Sequence, residues 1–174
     1  MENIVFVDRD GVICENRPDH VKCWDEFVFL PGALEALAQL KRIGYPVVVI
    51  TNQGAVGRGL MDVATLHDIH HRMVMTVRKY GGDIEKIYYC PHHPDEGCEC
   101  RKPNTGMLRL ASDQLNINLS KSYLIGDAGT DIEAGQAVGS HCILVLTGRG
   151  MAQLPIALRR ASKNFQVVPN LKVA

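Results

Sequence analysis

The sequence predicts one α/β domain, a parallel sheet covered by helices on both faces. Three observations predict it. Short β-branched runs alternate with segments of helical period along the chain. The run Val47–Thr51 is apolar or β-branched throughout, as a strand buried on both faces requires. The 174 residues suffice for a full core and carry no internal repeat, linker or low-complexity segment.

Each element has its own warrant. Ile4–Val7 is a first strand, ended by charges and Gly11. Glu26–Leu30 can form a short extended piece before Pro31-Gly32. A helix over Ala33–Ile43 turns Leu34, Leu37 and Leu40 inward and stops at Gly44. Val47–Thr51 is the second strand, and a glycine-rich loop, NQGAVGRGL, follows it. A long helix from about Asp62 to Tyr80 carries Leu66, Ile69, Met73 and Val77 at helical spacing, with Gly81-Gly82 ending it. Lys86–Tyr89 is the third strand. A helix over Thr105–Leu115 places Leu108, Ala111 and Leu115 on one face. Ser122–Gly126 is the fourth strand, Asp131–Val138 a short helix and Cys142–Leu146 the fifth strand. The tail adds a helix near Met151–Arg160 and an edge strand at Phe165–Val168. The expected architecture is Rossmann-like, one domain over residues 1–174.

Composition narrows the functional classes. Lys plus Arg and Asp plus Glu both number 19, and no basic run is present, which argues against nucleic acid as a partner. The N-terminus MENIVFVDRDG lacks a basic signal-peptide region, and no apolar stretch approaches the roughly 20 residues of a membrane helix. A cytoplasmic, monomeric protein is expected. Of six cysteines, Cys90, Cys98 and Cys100 cluster in metal-site fashion, while Cys14, Cys23 and Cys142 stand alone as incidental thiols.

Ligands of an open parallel sheet bind outside the carboxyl ends of its strands. There the sequence places Asp8-Arg9-Asp10-Gly11, Thr51-Asn52, Arg101-Lys102, and Asp127 with Asp131 one turn on. Singly these are weak signals; together they suit phosphoryl chemistry. Carboxylates bind Mg²⁺, and a hydroxyl, a lysine and backbone N–H groups suit phosphoryl oxygens. Asp8 and Asp10, two apart in extended chain, project to one side, so that one can attack phosphorus while the other handles the leaving group's proton. A phospho-accepting signalling domain also uses acids, a Thr and a Lys, but an acid two residues after the first fits turnover better than storage of the phosphoryl group.

Residues 90–101, CPHHPDEGCECR, read as a metal loop. Cys90, Cys98, Cys100 and one of His92 or His93 supply four zinc-type ligands, leaving no open position for catalysis. The loop has no apolar periodicity, so a metal can replace its missing core. His67 and His71, four apart on a helix, read as a solvated face, and Arg58 and Arg149 as surface arginines near the active edge.

FVDRDGV, VVVITNQ, RKP and YLIGDAGTD, in this order, resemble the four motifs of the haloacid-dehalogenase-like phosphohydrolases. DRDG, TNQ and CPHHP…CECRKP together resemble the histidinol-phosphate and heptose-bisphosphate phosphatase branch, whose members lack a separate cap domain. The resemblance implies Asp8 as nucleophile and Asp10 as general acid and base. It implies Thr51 and Lys102 as stabilisers of the transferring phosphoryl group. Mg²⁺ would be held by Asp8, Asp10 through its carbonyl, and Asp127, and a structural Zn²⁺ by Cys90, His92, Cys98 and Cys100. Arg101 and Lys102, Asn16, Arg17, Pro18 and Asp19, and Thr51, Asn52, Gln53 and Gly54 correspond to substrate-contacting segments. The implied substrate is a small phosphorylated metabolite, heptose bisphosphate before histidinol phosphate or other sugar phosphates. Two positions depart from the heptose enzymes: Ala128 stands where they commonly carry Lys or Arg, and ENRPDH where they often have Gly-Tyr-Val.

Overall fold

The computed structural model describes residues 4–174, so residues 1–3 of the expected domain lie outside the described residues. Six strands form one parallel sheet: β1 (Val5–Val7), β2 (Val47–Asn52), β3 (Lys86–Cys90), β4 (Tyr123–Gly126), β5 (His141–Val145) and β6 (Gln166–Val168). Their spatial order is β3-β2-β1-β4-β5-β6. The helices are α1 (Ala33–Arg42), α2 (Gly54–Gly57), α3 (Val63–Lys79), α4 (Gly106–Leu115), α5 (Gly129–Ala137) and α6 (Gly150–Arg160).

The two-residue period of the strands sorts the core into layers. Val5, Val7, Val47, Val49 and Ile125 point to one face, where they meet Leu37 of α1 and Leu66, Ile69, Met73 and Val77 of α3. Ile4, Phe6, Val48, Ile50 and Leu124 point to the other, against Met107, Leu108 and Ala111 of α4. On that second face Cys142 and Leu144 pack with Ile132 of α5 and Ala157 of α6. Leu34 and Leu40 are only partly buried, because Ala33 and Ala36 share the inner face of α1 with Leu37. The Asp62 carboxylate caps α3 by accepting from the Thr65 N–H at 2.7 Å.

Three elements differ from the sequence reading. Glu26–Leu30 is no strand: Trp24–Glu26 is a single 3-10 turn, and the extended part reduces to one antiparallel bridge between Cys14 and Phe29. The glycine-rich loop after β2 contains one helical turn, α2. Helix α5 begins at Gly129, ahead of the expected Asp131. No helix among the described residues is long and apolar enough to cross a membrane.

Candidate active site

The chain runs from β1 through β2 to β3 on one side, then returns to place β4 on the other side of β1. That reversal opens a crevice at the carboxyl ends of β1 and β4. Asp8 leaves β1 there with its N–H on the Ile125 carbonyl at 2.9 Å, and Asp127 leaves β4 beside it. Carboxylate oxygens of Asp8, Asp127 and Asp131 lie within 4.8 Å of one another, all three buried. Gly11 makes the space: its φ is +85°, and a Cβ there would overlap the Asp127 carboxylate. The Gly148 backbone, with φ +57°, closes on Gly11 from the loop after β5.

Lys102 is the cation of this cluster. Its ammonium lies 2.6 Å from Asp131 Oδ1 and 3.1 Å from Asp8 Oδ1, and donates to the Ile50 carbonyl at 2.7 Å. Its backbone is tied twice to Asn52, through Asn52 Nδ2 to the Lys102 carbonyl at 3.1 Å and the Lys102 N–H to Asn52 Oδ1 at 3.0 Å. Burial lifts the Asp8 carboxyl to about 6, with the nearby acids adding to the rise and Lys102 opposing it. Burial likewise raises Asp127, reinforced by the charge of Asp8. Burial works to lower Lys102, yet Asp131 and Asp8 outweigh it and hold the ammonium charged.

Asp10 turns away from these carboxylates. Its oxygens accept from Arg9 Nη2 at 2.9 Å, Arg9 Nε at 3.2 Å and Gln53 Nε2 at 2.7 Å. Gln53 Nε2 also donates to Thr51 Oγ1 at 2.9 Å, tying the two residues together. Burial alone would raise the Asp10 pKa, but the Arg9 guanidinium and the Gln53 amide bring it below the ordinary value. Arg9 is itself only 1% exposed, lies over the Phe27 ring and donates through Nη1 to His70 Nε2 at 3.2 Å. Burial and the Arg9 charge push His70 down to about 3, so its ring is neutral and able to accept.

A cavity of about 560 Å³ opens above this floor. Of the residues the sequence singles out, Asp8, Asp10, Asn16, Arg17, Pro18, Asn52, Gln53, Gly54, Arg101 and Lys102 line it. Thr51 lies wholly buried beneath. Asp19 stands outside the lining, where it pairs with Lys22 at 2.7 Å and Arg17 at 3.2 Å. Three members that the sequence places near this edge receive no role from it. Asp131 joins the buried carboxylates, Arg9 grips Asp10, and Arg149 covers Asp127 rather than lying idle at the surface. The spacing of Asp131 one turn after Asp127 is a usable signal; position alone places Arg9 and Arg149 near the edge, with nothing in the sequence to name their partners.

The loop between β3 and α4 gathers Cys90, His92, Cys98 and Cys100. His92 Nδ1 stands 3.5 Å from Cys90 Sγ and 3.2 Å from Cys100 Sγ, and Cys98 Sγ is 3.4 Å from Cys90 Sγ and 3.5 Å from Cys100 Sγ. Tetrahedral zinc with bonds of about 2.0–2.3 Å separates its ligand atoms by roughly 3.3–3.8 Å, so this donor set fits that ion closely. His93 points elsewhere, its Nδ1 accepting from the Asp95 N–H. Helix α2 packs on the loop backbone to backbone, which explains Gly57: a Cβ there would strike His93 N.

Comparison with known proteins places this geometry. The HAD-hydrolase-like family profile matches residues 99–174. The D-glycero-beta-D-manno-heptose-1,7-bisphosphate 7-phosphatase of Pseudomonas putida is 44% identical over 147 residues, 84% of each chain. The protein of the same name from Escherichia coli is 35% identical over 93% of this chain and 96% of its own. Among solved structures, the D,D-heptose 1,7-bisphosphate phosphatase of B. bronchiseptica, complexed with magnesium and phosphate, superposes with a TM-score of 0.93 at 37% identity, over 99% of this chain and 94% of that one. With relatives this similar along most of both chains, the chain belongs to the haloacid-dehalogenase-like hydrolases and is a phosphatase of that family.

Proposed function

We propose that the chain removes the 7-phosphate of D-glycero-β-D-manno-heptose 1,7-bisphosphate by way of an aspartyl-phosphate on Asp8. The observation that carries the reading is the meeting of Asp8, Asp127, Asp131 and Lys102 at the β1/β4 crevice, in a chain 44% identical to a phosphatase of that name.

A carboxylate oxygen of Asp8 attacks phosphorus as the bond to the sugar oxygen breaks. Lys102 and Thr51 take up the charge of the phosphoryl oxygens. Asp10 gives a proton to the departing sugar oxygen and then takes one from the water that cleaves the aspartyl-phosphate, releasing inorganic phosphate. Because Arg9 and Gln53 favour the ionised form of Asp10, the first proton arrives with the substrate, whose phosphomonoester has a second pKa of about 6. The same grip suits the second half, which needs Asp10 as a base.

Asp8, Asp127 and the Asp10 carbonyl would hold Mg²⁺, with Asp131 beside them; bound there, the ion neutralises charge on the phosphoryl group. The fit is supported by three buried carboxylates facing a single lysine. Cys90, His92, Cys98 and Cys100 would hold a structural Zn²⁺, supported by their spacing.

The test compares kcat/KM with Mg²⁺ for the heptose bisphosphate, histidinol phosphate and simple sugar phosphates. The bisphosphate should lead by at least about tenfold; histidinol phosphate in front would overturn the substrate. Asp8→Asn should abolish turnover at unchanged circular dichroism, and substantial remaining activity would sink the nucleophile. A wild-type protein that stays phosphorylated without releasing phosphate would favour the signalling alternative.

A further inference from the structure

The loop after β5 carries Arg149 to the N-terminus of α6, directly over Asp127. Two kinds of bond join them. The Arg149 N–H donates to Asp127 Oδ2 at 2.8 Å, held by the turn through Gly148. The guanidinium adds longer bonds, Nη2 to Oδ1 at 3.3 Å and Nε to Oδ2 at 3.5 Å. Asp127 is wholly buried and does not reach the cavity wall, whereas the Arg149 side chain is 50% exposed and forms part of it. The guanidinium is therefore a roof over the one carboxylate that Lys102 does not touch.

A divalent cation held by Asp8, Asp127 and the Asp10 carbonyl would take over much of the neutralisation of Asp127. The short backbone bond would still aim that carboxylate, while the long side-chain bonds would lose most of their charge partner. The guanidinium, half exposed and part of the cavity wall, would then be free to meet a ligand there. Of the other arginines there, Arg17 is committed to Asp19 at 3.2 Å and Glu26 at 3.8 Å. Arg101 has a buried Nη1 without a hydrogen-bond partner. Arg17 Nε likewise makes no hydrogen bond, although it stands 3.2 Å from Asp19. A second anionic group entering with the substrate thus finds two arginine nitrogens without hydrogen bonds, one of them ion-paired, and one releasable guanidinium.

We propose that Arg149 is a specificity residue whose guanidinium leaves Asp127 when the site takes up its divalent cation and pairs with the second phosphate of a bisphosphorylated substrate. The proposal rests on the bisphosphatase reading above. It is tested with Arg149→Gln and Arg149→Lys on a matched pair, the heptose bisphosphate and the same heptose bearing only the 7-phosphate. In Arg149→Gln, kcat/KM for the bisphosphate should fall about 10–100-fold further than for the monophosphate, chiefly through KM. Arg149→Lys should recover most of that difference. Without any substrate, calorimetric titration with Mg²⁺ should show Arg149→Gln binding the ion about 3–10-fold more tightly, since a competing cation is gone. Equal losses on both esters, or weaker Mg²⁺ binding, would show that Arg149 only supports Asp127 and would overturn the proposal. A wild-type protein that hydrolyses neither heptose ester refutes the substrate reading instead. The role of Arg149 is then decided by the same ratio on fructose 1,6-bisphosphate and fructose 6-phosphate.

Discussion

Replacing Arg9 by Met tests the deepest electrostatic element of the site. The side chain is 1% exposed and serves Asp10 through two nitrogens and His70 through a third. Its loss leaves the Asp10 carboxylate, 20% exposed at the cavity wall, with the Gln53 amide at 2.7 Å and the Cys14 thiol at 3.6 Å. Breaking a fully buried pair from one side costs about 3–5 kcal/mol, and the partial exposure of Asp10 brings the expected loss down to about 2–3 kcal/mol. Against a total stability of about 5–15 kcal/mol, urea unfolding should register this clearly. Asp10→Asn alone should also be costly, since it strands the guanidinium. The double variant should cost at least about 1 kcal/mol less than the sum of the two, because neither charge then remains. Arg9→Lys should not restore the wild type, as an ammonium cannot grip both carboxylate oxygens and reach His70. Turnover in Arg9→Met should drop by about a hundredfold through misplacement of Asp10. Additive single and double effects, or an Arg9→Met protein of wild-type stability, would refute the claim that Arg9 is the counter-ion of Asp10.

Two further outcomes follow from the site's scaffolding. Gly11→Ala should lose at least about 2 kcal/mol in a urea melt and nearly all phosphatase activity, because it adds a side chain at φ +85° into the space of the Asp127 carboxylate; a normally active variant would refute that crowding. Stripping the cysteine loop with a zinc chelator, Mg²⁺ being restored afterwards, should lower Tm by about 5 °C or more and open residues 90–101 to proteolysis; a metal-free preparation that melts like the untreated protein would dismiss the structural ion.

The fold was legible because it rests on periodicity. Val47–Thr51, β-branched throughout, reads as a strand buried on both faces, and the structure packs a layer on each side of it. Helix α2 was not legible: four residues, two of them glycine, carry no period, and the turn is fixed by backbone packing against His92 and His93. Asp8, Asp10, Asp127 and Lys102 stood out because strand ends mark a site in any parallel sheet. Arg9 and Arg149 did not, since a charged residue in a loop reads as solvated until its partners are known. The partners of Arg9, His70 and Phe27, lie 61 and 18 positions along the chain, on elements that only the packed structure brings over β1.

Arg101 and Lys102 are neighbours in sequence but hang from different supports. Lys102 is fastened to the sheet, by Asn52 at its backbone and the Ile50 carbonyl at its ammonium. Arg101 adjoins the last cysteine of the loop and reaches toward Gly54 with an unpaired nitrogen. One peptide bond is therefore the seam between two modules that can drift apart. Insertions, deletions or a change of metal in the loop would re-aim Arg101 at the cavity wall, while Lys102 kept its place against Asp8 and Asp131. The cavity wall can in this way change while the buried carboxylate floor stays as it is.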